Sequence, residues 1–115
     1  MDVTNLTPRV PDFPASTIRK SGCVSLHQLT VDRFGLMGTK HVNLAFDPIE
    51  ATLEITPSID ESDAPYKVSK ERSGALLIHG KEFLDRTGIL YSHGSQVFPA
   101  TWNRLKGRII VHLSH

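Results

Sequence analysis

Val31-Asp32-Arg33-Phe34-Gly35-Leu36 and Leu84-Asp85-Arg86-Thr87-Gly88-Ile89 decide how this chain is read. Each hexamer runs apolar residue, Asp-Arg, variable position, Gly, apolar residue, and the two stand 53 positions apart. Their flanks match as well. A Ser-Gly pair precedes each (Ser21-Gly22 and Ser73-Gly74), followed by a short apolar run and a polar break. After each come a strand-like run, a turn and a second strand-like run. Self-similarity of this kind marks a repeated structural unit, so the chain reads as two copies of one small unit.

Around the first hexamer, His27 to Phe34 reads as a short helix, because Leu26, Leu29, Thr30 and Phe34 recur near helical spacing. Gly35 stands where a left-handed residue ends a helix, and Leu36 supplies the apolar contact after it. Upstream, Ser16 to Lys20 and Cys23 to Leu26 are strand-like around the Ser21-Gly22 turn. Downstream, His41 to Phe46 alternates with Val42, Leu44 and Phe46 on one face, and Asp47-Pro48 opens a turn. Thr52 to Thr56 returns and is expected to stop at Pro57.

The second copy repeats the order. Tyr66 to Lys70, a turn at Glu71-Arg72-Ser73-Gly74, and Ala75 to Ile78 form its first hairpin. Lys81 to Thr87 is the helix that Gly88 closes. Val97 to Trp102 is a strand in which Pro99 predicts an edge or a bulge. Arg108 to Leu113 ends the unit, with Ile109, Val111 and Leu113 inward. The domain organisation is an arm at 1–15, a first repeat at 16–57, an acidic connector at 58–65 and a second repeat at 66–115. Single domains become marginal below roughly 40 residues, so the two units must share a core. The expected fold is mainly β with two short helices, an α+β class, closed as a pseudo-twofold barrel within one chain.

Composition narrows the function. With 115 residues, 39% of them apolar, the chain is sized for one compact domain. It has no apolar run of membrane-spanning length, no basic start and apolar stretch of a signal peptide, and a single Cys23. A soluble, cytoplasmic protein is expected. The net charge of +1 is unevenly spread: residues 1–65 carry −4 and residues 66–115 carry +5. A polyanion would meet the second copy first. The arm places Pro8, Pro11 and Pro14 at a three-residue period, which suits polyproline II. It is either a tether or a ligand for a partner's groove.

The spacing resembles the AbrB/MazE swapped-hairpin superfamily. The matching elements in the first copy are Gly22 to Leu26, Phe34-Gly35-Leu36, Val42 to Asp47 and Thr52 to Thr56. In the second they are Tyr66 to Ile78, Thr87-Gly88-Ile89, Val97 to Asn103 and Arg108 to Leu113. In that family two chains interlock into one barrel. The resemblance implies that this chain carries both halves, and that it binds DNA as a transcription regulator or antitoxin-like factor. Two departures stand out. Val31-Asp32 and Leu84-Asp85 occupy places where the family commonly has a basic pair, and no proline opens either helix.

The DNA-binding candidates are Arg19, Lys20, Lys70 and Arg72, beside the two Ser-Gly turns, with Arg33 and Arg86 from the hexamers. Arginine and lysine serve phosphates and base edges. Arg33 and Arg86 could instead pair with a carboxylate or favour a helix C-terminus. His112 and His115, three apart on a strand, face opposite ways, and no zinc or hydrolase motif is present. No metal, cofactor or catalytic residue is therefore expected. Cys23 reads as a small core residue and Trp102 as a strand anchor between copies. Against the DNA reading stands a non-enzymatic module, of phage or mobile-element type, that binds a protein partner through the arm. A homodimer of such chains stays open beside both readings.

Overall fold

The computed structural model describes residues 12–58 and 64–113. The arm prolines Pro8 and Pro11, the acidic Asp60, Glu61 and Asp63, and His115 lie outside the described residues. The first half of the chain holds β1 (Ala15–Ile18), β2 (Val24–Leu26), α1 (Gln28–Phe34), β3 (His41–Asp47) and β4 (Thr52–Ser58). The second holds β5 (Tyr66–Lys70), β6 (Leu76–Ile78), α2 (Lys81–Thr87), β7 (Gln96–Asn103) and β8 (Arg108–His112). The eight strands close into an antiparallel barrel in the order β1-β2-β6-β5-β3-β4-β8-β7.

The hexamers make sense in this frame. Val31 and Leu84 are buried, and their carbonyls accept the N–H of Gly35 and Gly88. Both glycines are left-handed, at φ 66 and 79, a conformation that a side chain would strain. Leu36 and Ile89 then turn back onto the core. The Asp-Arg pair between these anchors is exposed in both helices.

No half closes on itself. The β1–β2 hairpin makes no ladder with β3–β4 of its own half. Instead β1 pairs with β7, β3 with β5, β2 with β6 and β4 with β8. Exchanging β1–β4 for β5–β8 leaves this set of pairings unchanged. Leu53, Ile55, Ile109 and Val111 are fully buried where β4 meets β8. Val24, Leu26 and Ile78 fill the β2–β6 seam. Each such side chain contributes roughly 1.5–3 kcal/mol when fully buried, so the core belongs to both halves equally.

Two expectations change and one is narrowed. β4 runs through Pro57 to Ser58 rather than stopping. The β4–β8 ladder ends at Ile55, so the missing N–H of Pro57 leaves no bond broken on that side. Pro99 marks no bulge, and its nitrogen faces the side of β7 that the β8 ladder does not reach, a local edge within the closed barrel. It sits where β7 passes from β1 to β8: Ala15 to Ile18 pair with Pro99 to Gln96, and pairing with β8 starts at Ala100. Ala100 N–H donates to Pro14 O at 2.9 Å, which leaves Pro99 opposite Ala15 in a pair that exchanges no hydrogen bonds. Cys23 is half-buried in the turn before β2 rather than in the core. Trp102 rests on Phe34 of α1, ring centroids 5.9 Å apart, so it does join the two halves.

One polar contact ties α1 to the barrel. The N–H of Ala15 faces His27, whose carbonyl is already taken by Val31 N–H in the first turn of α1. Thr30 supplies the acceptor instead. Its Oγ1 accepts from Ala15 N–H and donates to Ala15 O, both at 2.7 Å, with Thr30 wholly buried.

Candidate nucleic-acid interface

β1, β2, β6 and β5 form a four-stranded layer with one face on the core and the other turned away from it. Thr17, Ser25, Leu77 and Ser69 stand in one row across it, each paired with the next. They alternate with the buried Ile18, Val24, Leu26, Leu76, Ile78 and Val68, so their side chains lie on the outer face, where Thr17, Leu77 and Ser69 are half-buried and Ser25 is buried. The two hairpin turns carry matching bonds. Arg19 N–H donates to Cys23 O at 2.8 Å as Glu71 N–H donates to Ala75 O at 2.9 Å. Gly22 and Gly74 then adopt φ 91 and 92, which explains the Ser-Gly pairs.

A histidine flanks the row at each end. His27 Nε2 lies 2.5 Å from Thr17 Oγ1, and His79 Nε2 lies 2.8 Å from Ser69 Oγ. His27 Nδ1 is buried with no hydrogen-bond partner. Burial, and secondarily the nearby Arg19 guanidinium, hold the His27 pKa below its ordinary value.

Arg19 lies back over this face. Its guanidinium grips the Glu71 carboxylate with two bonds, at 3.0 and 2.7 Å, and donates to Ser25 Oγ at 3.5 Å. Lys20, Lys70 and Arg72 are exposed. The Lys20 N–H donates to Ser95 Oγ at 3.0 Å. The structure therefore brings four of the six candidates to one pair of hairpins, with Arg19 already occupied. Arg33 and Arg86 ride on the helices outside these hairpins, both exposed, and Arg86 donates to Tyr66 Oη at 2.8 Å.

Sequence reasoning passes over Lys67, exposed on β5, and over Glu71 as a partner for Arg19. A signal for the second existed: Arg19 and Glu71 are each two residues before the Ser-Gly pair of their copy. It also passes over Thr17/His27 and Ser69/His79, hydroxyl and imidazole ten residues apart in both copies.

Another polar cluster braces the first turn. Lys81 Nζ lies 3.1 Å from Asp85 Oδ2, and Tyr91 Oη donates to Asp85 Oδ1. The Tyr91 hydroxyl first, then Lys81, hold the Asp85 pKa below the carboxylate norm. A Cβ placed on Gly22 would come within 2.7 Å of Lys81 Cγ. Open depressions mark the surface of the described residues. One of 470 Å³ is lined by Met37, Gly38, Thr39, Pro57 and Ser58, and one of 210 Å³ lies beside Asp85 and Tyr91. Among the described residues no three His, Cys, Asp or Glu side chains gather as a metal site would require. No helix among them is long and apolar enough to cross a membrane. No family model, no curated protein and no solved structure matches the chain.

Proposed function

We propose that this chain binds duplex DNA through the outer face of the β1-β2-β6-β5 layer, as a small transcription regulator or antitoxin-like factor. One observation carries the reading. The two hairpins, residues 15–27 and 66–79, hold five cations and one anion, a net +4, in a chain of net +1. The rest of the sequence is therefore at −3. Positive charge collected on one pair of hairpins in an otherwise acidic molecule attracts phosphates and steers their approach. The exchange relation among the strand pairings supports an origin by duplication of a swapped-hairpin unit, as the resemblance implies.

Lys20, Lys67, Lys70 and Arg72 meet phosphates in this reading, and Thr17, Ser69 and the histidines supply polar contacts beside them. Fluorescence anisotropy with a random duplex at low and moderate salt tests it. Binding is expected to weaken steeply with salt and to fall on Lys70→Ala with Arg72→Ala. Silence at tens of micromolar in low salt removes the reading.

A second reading, a protein partner, is favoured by the hairpin tips. Ile49 in the β3–β4 turn and Leu105 in the β7–β8 turn are 90% and 100% exposed. Exposed apolar tips suit a protein surface better than a phosphate backbone. The same titration, silent for DNA, would turn attention to these tips.

A further inference from the structure

Across the two hairpins, positions 52 apart correspond: Ser21-Gly22 with Ser73-Gly74, Arg19 with Glu71, Lys20 with Arg72, Ile18 with Lys70, Ala15 with Lys67. The strand pairing obeys the same offset. Val24 opposes Ile78, Leu26 opposes Leu76, and Ser25 opposes its own counterpart Leu77. A twofold relation thus passes between Ser25 and Leu77. Two identical halves would set like charges on either side of it. Here the corresponding positions carry opposite charges, Arg19 and Glu71, and bond to each other across the seam at 2.7 Å.

That pair changes what the face can hold. A guanidinium that grips a carboxylate with two bonds has its planar fork filled and cannot offer it to a phosphate. The carboxylate also repels a phosphate approaching the seam. Beyond the seam the cations are unequal. The first hairpin keeps Lys20, while the second keeps Lys67, Lys70 and Arg72, all exposed. Their counterparts Ala15 and Ile18 are buried and uncharged.

Resting on the nucleic-acid reading, we infer that the duplex is held asymmetrically: the β5–β6 hairpin is the main contact, and one half-site without palindromic symmetry is the unit recognised. The twofold architecture survives in the barrel wall and is broken on the surface that meets DNA. Arg19 is held in reserve by Glu71, and releasing it would restore a contact on the first hairpin.

The test is the salt dependence of binding to a random 20-base-pair duplex, by anisotropy, for the full chain and three variants. Each phosphate contact adds about 0.9 to the slope of log affinity against log salt. Removing Lys67, Lys70 and Arg72 together (each to Ala) is expected to lower the slope by up to about 2.7. Lys20→Ala is expected to lower it by at most about 0.9. Glu71→Gln, which keeps the size of the side chain and frees Arg19, is expected to raise the slope by about 0.9 and tighten binding. Circular dichroism checks that each variant is folded. Equal slopes for the two Lys/Arg-to-Ala variants, or no gain on Glu71→Gln, overturn the asymmetric footprint while leaving DNA binding intact. Absence of salt-dependent binding by the unaltered protein overturns the nucleic-acid reading and this inference together.

Discussion

Thr30→Val tests whether a single hydroxyl fastens α1 to the barrel. Valine has the same shape, so packing at this wholly buried position is kept and only the hydroxyl is lost. Ala15 O retains His27 N–H, at 3.3 Å. Ala15 N–H retains nothing, because Thr30 Oγ1 accepts it at 2.7 Å and the carbonyl opposite belongs to the helix. Ala15 is itself fully buried, so water cannot replace the lost acceptor without opening the strand. An orphaned buried donor costs about 1–3 kcal/mol, and the lost hydroxyl bond to Ala15 O adds up to about 1 kcal/mol. The expected destabilisation is about 1–4 kcal/mol. Urea unfolding should show it as a lowered midpoint with an unchanged slope. Thr30→Ser keeps both bonds and removes one methyl group, so it should cost about 1 kcal/mol. A loss below about 0.5 kcal/mol for Thr30→Val, the size of an ordinary surface substitution, would refute the reasoning. So would equal losses for valine and serine.

Ala51 is the only non-glycine at positive φ among the described residues, at 54, where the matching turn has Gly107 at 62. Ala51→Gly should therefore stabilise the protein by roughly 0.5–1 kcal/mol, read as a raised urea midpoint. Gly22→Ala should do the opposite, by about 1–2 kcal/mol, because φ is 91 and the new Cβ crowds Lys81. Leu84→Ala, at a side chain with no exposure, should cost about 2–5 kcal/mol. The lowered pKa of His27 predicts acid sensitivity. Below the unfolded value of about 6.5 the unfolded chain binds a proton that the folded chain refuses, so stability falls as pH drops through that window until the folded pKa is reached. His27→Gln should flatten that part of the pH profile, and an unchanged profile would remove His27 as its source.

The parts of the fold legible in the sequence are those set by neighbours along the chain. Gly35 and Gly88 close their helices because their φ is local, and the hairpin alternation of His41 to Phe46 follows from the strand period alone. Pro57 does not end its strand because a proline's cost depends on which strand lies across from its nitrogen, and that is a fact of the whole barrel. Cys23 looked like strand interior and proved to be turn. The candidate surface divides the same way. Lys20, Lys70 and Arg72 stand out from their turns, whereas the engagement of Arg19 depends on β2 lying beside β6. No window of sequence short enough to be read locally contains both members of that pair.

The exchange of hairpins between halves has a consequence for synthesis on the ribosome. Ala15 opposes Pro99, so β1 lacks its second neighbour until residues beyond 96 have been translated. β3 and β4 likewise wait for β5 and β8. A nascent chain carrying only the first half exposes two hairpins and four strand edges with nothing to cover them, a state open to pairing with another nascent copy. Completion of the barrel thus waits for β7 and β8, and pauses before those strands are translated would be the moments of greatest risk.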